Sequence, residues 1–370
     1  MLYICVNRIA SVQFESLKFF SETDLVEKAE GLDGSFAKKL LTLSKKFPRK
    51  VAADALELIE LRKTDKFSRA GKMWFDREGL EMATHETVAR YRAERFFGRI
   101  ADLCCGIGGD AIVLASRGRL AAFDIDPVRV EMARHNLSVY GVAGEVKAED
   151  VTKLDLNSLD ADWFFFDPQR RGRESPNTEA MLNRIRETGA KYAVKLAPDF
   201  KGDVERISLN HELREACLWS TGGRKVTVLP SEESLGVSGK EPPEITGIRE
   251  YLLEPDPGII VSGAFGELAG KYPCTRIDAR IAYLTSDKKY KTEFFSSQLK
   301  VLEVVSGDIA RVSEALRKHG IGPVEIKCRG FQVSPERLRK QLGGKGKPGV
   351  AVFTRARGKR VAIIARRETF

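Results

Sequence analysis

From Arg99 onward the sequence alternates short apolar segments with helical segments, and this alternation constrains the fold more than any other feature. Apolar runs that end in turn residues predict strands, and the segments between them have helical spacing, with Asp126 as a cap before Pro127. The predicted strands span residues 100–105, 120–126, 145–150, 162–167, 192–198, 214–220 and 225–230, and the predicted helices span 109–117, 127–140 and 176–189. The pattern predicts an α/β fold with a mostly parallel, doubly wound sheet, closed by the last two strands as an antiparallel hairpin.

The stretch ADLCCGIGGD places glycines at positions 106, 108 and 109, directly after the first predicted strand. A glycine turn between a strand and a helix brings bare backbone and the positive end of the helix against a ligand. Gly106, Gly108 and Ala111 satisfy the permissive G-x-G-x-x-G/A fingerprint of dinucleotide-binding folds, and Asp124 lies near the distance of a ribose-binding acid. The glycines alone therefore leave the identity of the cofactor open.

Carboxylates lie at or near the ends of three consecutive predicted strands. Asp102 lies four residues before Gly106, where nicotinamide-binding strands usually keep an apolar residue because their glycine loop holds a pyrophosphate. A carboxylate there suits a ligand that has an ammonium group and no phosphate. Asp124 can accept two hydrogen bonds from a ribose diol, and Asp150 can accept one from an adenine amino group. Each Asp alone is equally compatible with a cap or a turn, but the three together predict S-adenosylmethionine rather than NAD.

The fourth predicted strand ends in FFFDPQRRG, which is the candidate catalytic segment. Methyl transfer from a sulfonium is an in-line displacement, so the protein mainly positions the nucleophile. Asp167 can accept a hydrogen bond from a target amine, and the carbonyl of Pro168 offers a second acceptor; the alternative is an ordinary Asp-Pro turn. The predicted substrate-binding residues are Arg170 and Arg171, which suit phosphate contacts, and Lys195, for which a snorkelling side chain is the alternative.

Several longer motifs resemble a known family. WFDREGLEMATHE, DLCCGIGGD, FDIDP and NLSVYGV, between Trp74 and Arg171, resemble the class I methyltransferases of the trimethylguanosine-synthase group. In the C-terminal third, RIDARIAYLTSD, EIKCRG and VFTRARGKRVAIIARR are similar to the THUMP-like domain of uncharacterised prokaryotic relatives. The resemblance covers about three-quarters of the chain and implies a Rossmann-like class I fold, S-adenosylmethionine as cofactor and an RNA substrate.

The resemblance also implies site residues. Thr84 matches the family's Thr in W-F-S-V-T-P-E, which implies that it helps to hold the methionine end of the cofactor. Cys104, Gly109 and Ile125 complete the predicted cofactor-binding set.

The catalytic segment departs from the family pattern S/D-P-P-W. Gln169 and Arg170 stand where the second proline and the tryptophan belong. That tryptophan stacks on the methylated guanine of a cap, so its absence argues against cap hypermethylation and leaves an exocyclic base amine as the expected target. Two alternatives stay open: a protein or small-molecule methyltransferase, and an RNA-binding module whose methyltransferase fold has lost turnover.

Positive charge is concentrated near the C-terminus. The net charge of the 370 residues is +10, yet residues 266–370 hold 23 Lys and Arg against 10 Asp and Glu, and residues 327–370 hold 13 against 2. Because phosphate neutralisation supplies most sequence-independent nucleic-acid affinity, this region predicts an RNA partner such as tRNA or rRNA. The alternative is a solubilising, solvated tail.

These features predict three domains: a mainly helical region at 1–92, a methyltransferase domain at 93–247 and a basic α+β THUMP-like RNA-binding domain at 248–370. The N-terminus lacks the apolar region of a signal peptide, and no apolar run approaches the ~20 residues of a membrane span. The six cysteines form no C-x-x-C pair and the four histidines are scattered. We therefore expect a cytoplasmic protein without a bound metal, and the sequence indicates no protein partner.

Overall fold

A computed structural model describes residues 12, 14–168, 176–330, 338, 341–342 and 344–368. The chain divides into two compact units, one reaching to Leu196 with Cys217–Thr221 added, and one made of Ala197–Ala216 and the residues from Gly222 onward. The N-terminal helices cluster with the first sheet, and residues 197–216 and 222–247 cluster with the C-terminal part of the chain. The predicted domains at 1–92, 93–247 and 248–370 stay predictions.

Helices of the first unit surround a parallel sheet. They are α1 Phe14–Glu22, α2 Leu25–Glu30, α3 Phe36–Leu43, α4 Arg49–Leu61, α5 Arg77–Met82, α6 Glu86–Ala93, α7 Ala111–Ala115, α8 Pro127–Tyr140 and α9 Thr178–Glu187. The local sequence explains the ends of α8: the Oδ1 atom of Asp126 accepts a hydrogen bond from the backbone N of Val128 at 2.8 Å, and Gly141 takes a left-handed conformation with φ +68°.

The strands of the first unit are β1 Gly98–Leu103, β2 Gly118–Asp124, β3 Gly144–Ala148, β4 Trp163–Phe166 and β5 Lys191–Leu196. They lie in the order β3-β2-β1-β4-β5 and pair in parallel, which confirms the predicted sheet. Asp102 of β1 lies opposite Ala122 of β2 and Phe165 of β4. The carboxyl ends of these strands therefore meet at one edge of the sheet, where ligands of such folds bind.

Both faces of the sheet are buried at β4, as expected for a parallel strand. In β4, Trp163 and Phe165 pack in one apolar cluster, and Phe164 and Phe166 pack in another. The alternation of side chains along the strand assigns the two pairs to opposite faces, so β4 is rigidly held just before Asp167.

One prediction about the strands that follow β5 in the sequence is wrong. β7 (Glu212–Trp219) and β8 (Lys225–Leu229) do not form a hairpin, because β6 (Glu205–Leu209) lies between them in the strand order. β6 pairs in parallel with β8, and β8 pairs antiparallel with β9 (Glu233–Gly236). β6 is a buried strand, but its charged residues do not fit the apolar pattern that predicts one. Glu205 has partners inside the protein, since its Oε1 atom is 2.8 Å from the hydroxyl of Thr227 and 3.3 Å from the ammonium of Lys225.

A second sheet fills the remainder of the second unit. Its strands are β10 Tyr251–Pro255, β11 Thr275–Arg276, β12 Leu284–Ser286, β13 Phe295–Ser306, β14 Ile321–Cys328, β15 Lys347–Ala356 and β16 Lys359–Arg367. They lie in the order β11-β12-β10-β13-β16-β15-β14. The helices of this unit are α10 Pro257–Ser262, α11 Phe265–Lys271 and α12 Ile309–Lys318.

Two local sequence patterns of this region correspond to elements of the structure. Asp308 caps α12 by accepting a hydrogen bond from the backbone N of Ala310 at 2.8 Å, and β15 and β16 form a hairpin around an Arg-Gly-Lys turn. In SPERLRKQL, the Ser334-Pro335 pair predicts a helix over 334–342, and this segment lies outside the described residues except for Leu338, Gln341 and Leu342. Among the residues that the structure describes, no helix is long and apolar enough to cross a membrane, and no three His, Cys, Asp or Glu side chains form a metal-binding group.

Candidate functional site

The glycine loop after β1 is shaped by backbone conformation. Gly106 and Gly108 have φ values of +54° and +84°, a region that favours glycine. A Cβ atom on Gly106 would meet no atom within 4 Å, whereas one on Gly108 would lie 3.1 Å from the Cβ of Ala133 in α8. Gly109 packs in the same way, since its Cβ would be 3.3 Å from the ring of Phe67. The loop is therefore held firmly on its helix side and open at Gly106.

Asp124, the last residue of β2, orders this loop. Its Oδ2 atom accepts a hydrogen bond from the backbone N of Gly106 at 2.8 Å, and its Oδ1 atom accepts one from the backbone N of Asp126 at 3.0 Å. Burial raises the pKa of the Asp124 carboxyl above its ordinary value, although these two hydrogen bonds oppose the shift. Each oxygen retains a further lone pair for a ligand hydroxyl.

Asp102 is the least satisfied polar group of the site. Its side chain is fully buried, and neither carboxyl oxygen has a hydrogen-bond partner among the described residues. Burial raises the pKa of Asp102 well above its ordinary value, and the carboxylates of Asp110 and Asp167 raise it further. Because a buried acid without a partner is costly, this position calls for a proton or a cation.

The other predicted cofactor residues lie around the same strand ends. Ile125 is 51% exposed, so it offers apolar surface beside Asp124. Asp150 forms a turn, since its Oδ1 atom accepts from the N and Oγ1 atoms of Thr152 at 3.0 and 2.7 Å. Cys104 has a φ of +72°, unusual for a residue other than glycine, and burial raises the pKa of its thiol, which keeps the thiol neutral.

The segment WFDREGLEMATHE packs against the glycine loop. The side chain of Asn136 in α8 joins the two: its Oδ1 atom accepts from the backbone N of Trp74 at 2.8 Å, and its Nδ2 atom donates to the backbone O of Trp74 at 3.0 Å and of Ile107 at 2.9 Å. The indole of Trp74 stacks on the ring of His135, with centroids 3.9 Å apart. A Cβ on Gly79 would lie 2.6 Å from Ile107, so only glycine permits this approach.

A chain of polar side chains leads from the candidate acceptor acid into this segment. The ammonium of Lys195 donates to the Oδ2 atom of Asp167 at 2.6 Å and to the hydroxyl of Thr84 at 2.8 Å. That hydroxyl donates to the Oδ2 atom of Asp110 at 2.8 Å. Arg92 forms an ion pair with the other oxygen of Asp110, and its guanidinium lies 4.5 Å from the ring centroid of Phe165.

The structure thus brings together most of the predicted site residues at one sheet edge, including Asp167 and the buried Pro168 that follows it. Arg170 and Arg171 lie outside the described residues. Sequence reasoning missed three residues, Arg92, Asp110 and Asn136. Arg92 had a usable signal, because it falls on the apolar face of α6 with Val88 and Ala89, where a charge needs a partner.

Two family models match this chain. The model for RNA cap guanine-N2 methyltransferases matches residues 97–193, which hold the glycine loop and Asp167. The model described as THUMP domain-like matches residues 297–367, within the second unit. Both agree with the motifs that carry the resemblance.

Individual proteins that are similar in sequence or in fold to this chain also point to a methyltransferase. An uncharacterised S-adenosylmethionine-dependent methyltransferase of Mycobacterium tuberculosis, from strains CDC 1551 / Oshkosh and H37Rv, is 33% identical over 312 residues, covering 76% of this chain and 84% of the relative. The trimethylguanosine synthase of Schizosaccharomyces pombe is 33% identical over 82 residues, 20% of this chain and 34% of that protein. The crystal structure of a proposed methyltransferase from Porphyromonas gingivalis W83 shares the fold, with a TM-score of 0.76 and 18% identity over 93% of this chain and 98% of its own.

The residues present fit the cofactor that these relatives imply. The unpartnered carboxyl of Asp102 suits the ammonium of S-adenosylmethionine, and the space beside Gly106 suits a ligand that approaches the backbone closely. With 33% identity across 84% of the mycobacterial protein, the chain belongs to the S-adenosylmethionine-dependent methyltransferases and uses S-adenosylmethionine as its cofactor.

Proposed function

We propose that this methyltransferase acts on RNA and transfers the methyl group to a base nitrogen, an exocyclic amine. The observation that carries the proposal is the placement of Asp167, at the end of β4 and beside the glycine loop, with one carboxylate oxygen held by Lys195. Among the described residues, no donor reaches its other oxygen, and the side chain keeps 22% of its surface exposed. An amine that approaches this edge therefore meets a fixed acceptor.

The cofactor supplies an electrophilic methyl group, and the residues of the chain position the two reactants. The Oδ1 atom of Asp167 accepts a hydrogen bond from the target amine and directs its lone pair toward the methyl carbon. The carbonyl of Pro168 accepts the second amine hydrogen. Asp167 then takes the proton that the alkylated nitrogen releases.

We assign the cofactor contacts to side chains around the loop. Asp124 accepts from the ribose hydroxyls, and Asp102 pairs with the ammonium of the methionine end. Ile125 packs against the adenine, and Asp150 accepts from its amino group. Thr84 holds the methionine end from the segment that covers the loop. The backbone of Cys104, Gly106, Gly108 and Gly109 lines the remaining side.

The RNA partner is supported by a rigid basic turn in the second unit, residues 355–360, which we call the basic hairpin tip. Its sequence RARGKR holds four cations in six residues. The backbone N of Gly358 donates to the Oδ2 atom of the buried Asp278 at 2.7 Å, and the backbone N of Arg357 donates to the backbone O of Ile277 at 2.9 Å. The tip is thus fixed while Arg357, Lys359 and Arg360 remain exposed, as phosphate contacts require.

The proposal is tested by methyl transfer to RNA. Purified protein is incubated with methyl-tritiated S-adenosylmethionine and total RNA from a strain in which its gene is deleted, and the RNA is then digested to nucleosides. We expect label in one methylated nucleoside, formed with the full-length protein and reduced at least 100-fold by Asp167→Asn, a loss typical of general-base catalysis. RNA from the undeleted strain is the control and should accept little label.

Each other outcome would overturn a different part of the proposal. Label in protein or in small molecules, with none in RNA, would overturn the proposed substrate. Tight binding of S-adenosylhomocysteine and of RNA without any transfer would indicate an RNA-binding protein that has lost turnover. Full transfer by the Asp167→Asn variant would overturn the role of Asp167 and leave the substrate assignment intact.

A further inference from the structure

Lys195 lies next to the candidate acceptor acid by strand register. β4 and β5 pair in parallel with Phe166 opposite Val194, so Asp167 and Lys195 are the next residues of the two strands. Their side chains meet at 2.6 Å, and the Lys195 side chain is only 9% exposed. We propose that Lys195 is a positioning residue that holds the Oδ2 atom of Asp167, so that the Oδ1 atom is directed at the methyl acceptor.

The burial of Lys195 argues for this role over a direct substrate contact. An ammonium is costly to bury unless charged and polar partners surround it. Lys195 has such partners inside the protein, in the carboxylate of Asp167 and the hydroxyl of Thr84. With 9% of its surface exposed, the Lys195 side chain offers little access to a substrate phosphate, so the position differs from the substrate-binding role that the sequence predicts.

Thr84 extends the arrangement to the methyl-donor side. Its hydroxyl accepts a hydrogen bond from Lys195 and donates one to Asp110, so the orientation of this hydroxyl is fixed on both sides. Asp110 directly follows the glycine loop and is anchored by the buried Arg92. The acceptor acid and the loop at the cofactor site therefore share one hydrogen-bonded chain, and such chains hold their members more firmly than isolated pairs.

The role proposed for Lys195 is to fix the geometry of the acceptor acid, and it rests on the proposed function of Asp167. In the transfer, a bond forms between the amine nitrogen and the methyl carbon while the bond from that carbon to sulfur breaks. The nitrogen then loses a proton to Asp167, and the cofactor leaves as S-adenosylhomocysteine. Lys195 takes no part in these bond changes. It contributes by limiting the rotation of the Asp167 carboxylate, because misplacement by about 1 Å costs about 100-fold in rate.

The test is a double-mutant cycle in the RNA transfer assay. Lys195→Met removes the ammonium and keeps much of the volume, whereas Lys195→Arg keeps the charge. We expect Lys195→Met to lower kcat at least ten-fold, with an unchanged KM for RNA and unchanged binding of S-adenosylhomocysteine by calorimetry. In an Asp167→Asn background the same change should have little further effect, because the two residues act as one unit.

A second pair of variants keeps the inference testable if Lys195→Met fails to fold. Thr84→Val removes the hydroxyl that links the chain, and Thr84→Ser keeps it. We expect Thr84→Val to lower kcat several-fold and Thr84→Ser to restore at least half of the wild-type kcat. Where Lys195→Met does fold, Lys195→Arg should retain more activity than Lys195→Met.

Three results would overturn the inference. A raised KM for RNA with unchanged kcat would make Lys195 a substrate contact. Weaker binding of S-adenosylhomocysteine with unchanged kcat would assign it to the cofactor site. Additive losses in the cycle would show that it does not act through Asp167. Failure of the proposed function gives different results: an absence of label in RNA overturns the substrate, and full activity of the Asp167→Asn variant alone overturns the role of Asp167.

Discussion

At the scale of single residues, the buried carboxyl of Asp102 favours cofactor binding but lowers the stability of the protein without its cofactor. Burial raises its pKa, so the folded protein favours the protonated acid, and the stability that this acid contributes is lost as the pH rises through the folded-state pKa. Asp102→Asn resembles the protonated acid at every pH. We therefore expect the unfolding free energy of the variant to exceed that of wild type as the pH rises. The difference should grow by up to about 1.4 kcal/mol for each pH unit between the unfolded-state and the folded-state pKa of Asp102.

Urea denaturation at several pH values measures the difference in unfolding free energy between Asp102→Asn and wild type. Calorimetry measures the affinity of each protein for S-adenosylhomocysteine. Loss of the carboxylate should weaken binding of S-adenosylhomocysteine by about 10- to 100-fold, which corresponds to the ~1.5–3 kcal/mol of a charged hydrogen bond. Wild-type affinity should rise with pH, since ammonium binding favours the ionised acid, and the variant should lose this dependence. Equal affinity of the two proteins at all pH values would contradict the assignment of Asp102.

At the scale of elements, the contact between α8 and the segment at 74–86 sets the shape of the glycine loop. Asn136 is fully buried and satisfies three backbone groups of Trp74 and Ile107. Asn136→Ala leaves them without partners, so we expect a loss of about 3 kcal/mol in unfolding free energy, together with weaker binding of S-adenosylhomocysteine. Ser138→Ala on the same helix is the matched control, since its hydroxyl is exposed; comparable effects of both variants would contradict the prediction.

Elements also show how far the sequence predicts this molecule. The parallel strands, the limits of α8 and the Asp308 cap follow from local rules, because apolar spacing and capping residues act over a few positions. β6 was missed because Glu205 and Arg206 make it read as polar, although tertiary partners satisfy Glu205 inside the protein. Lys195 contacts Thr84, which lies 111 positions earlier in the sequence, and no local pattern predicts such a contact. The roles of the individual site residues remain predictions.

At the scale of the whole molecule, charge is distributed unevenly, and the basic hairpin tip offers a test of its purpose. If Arg357 and Lys359 each contact a phosphate, replacing both by Gln should reduce the slope of log affinity against log salt concentration by about 1.4–1.8, the combined contribution of two contacts. Filter binding of total RNA from the deletion strain, over a series of KCl concentrations, measures this slope.

The matched control replaces Lys45 and Lys46, exposed lysines of the first unit, by Gln and removes the same net charge. We expect the control to leave the slope nearly unchanged, since a rigid tip binds phosphates locally whereas net charge acts only through a screened field. Equal reductions by both pairs would mean that the C-terminal charge acts diffusely, and the hairpin tip would then have no specific part in RNA binding.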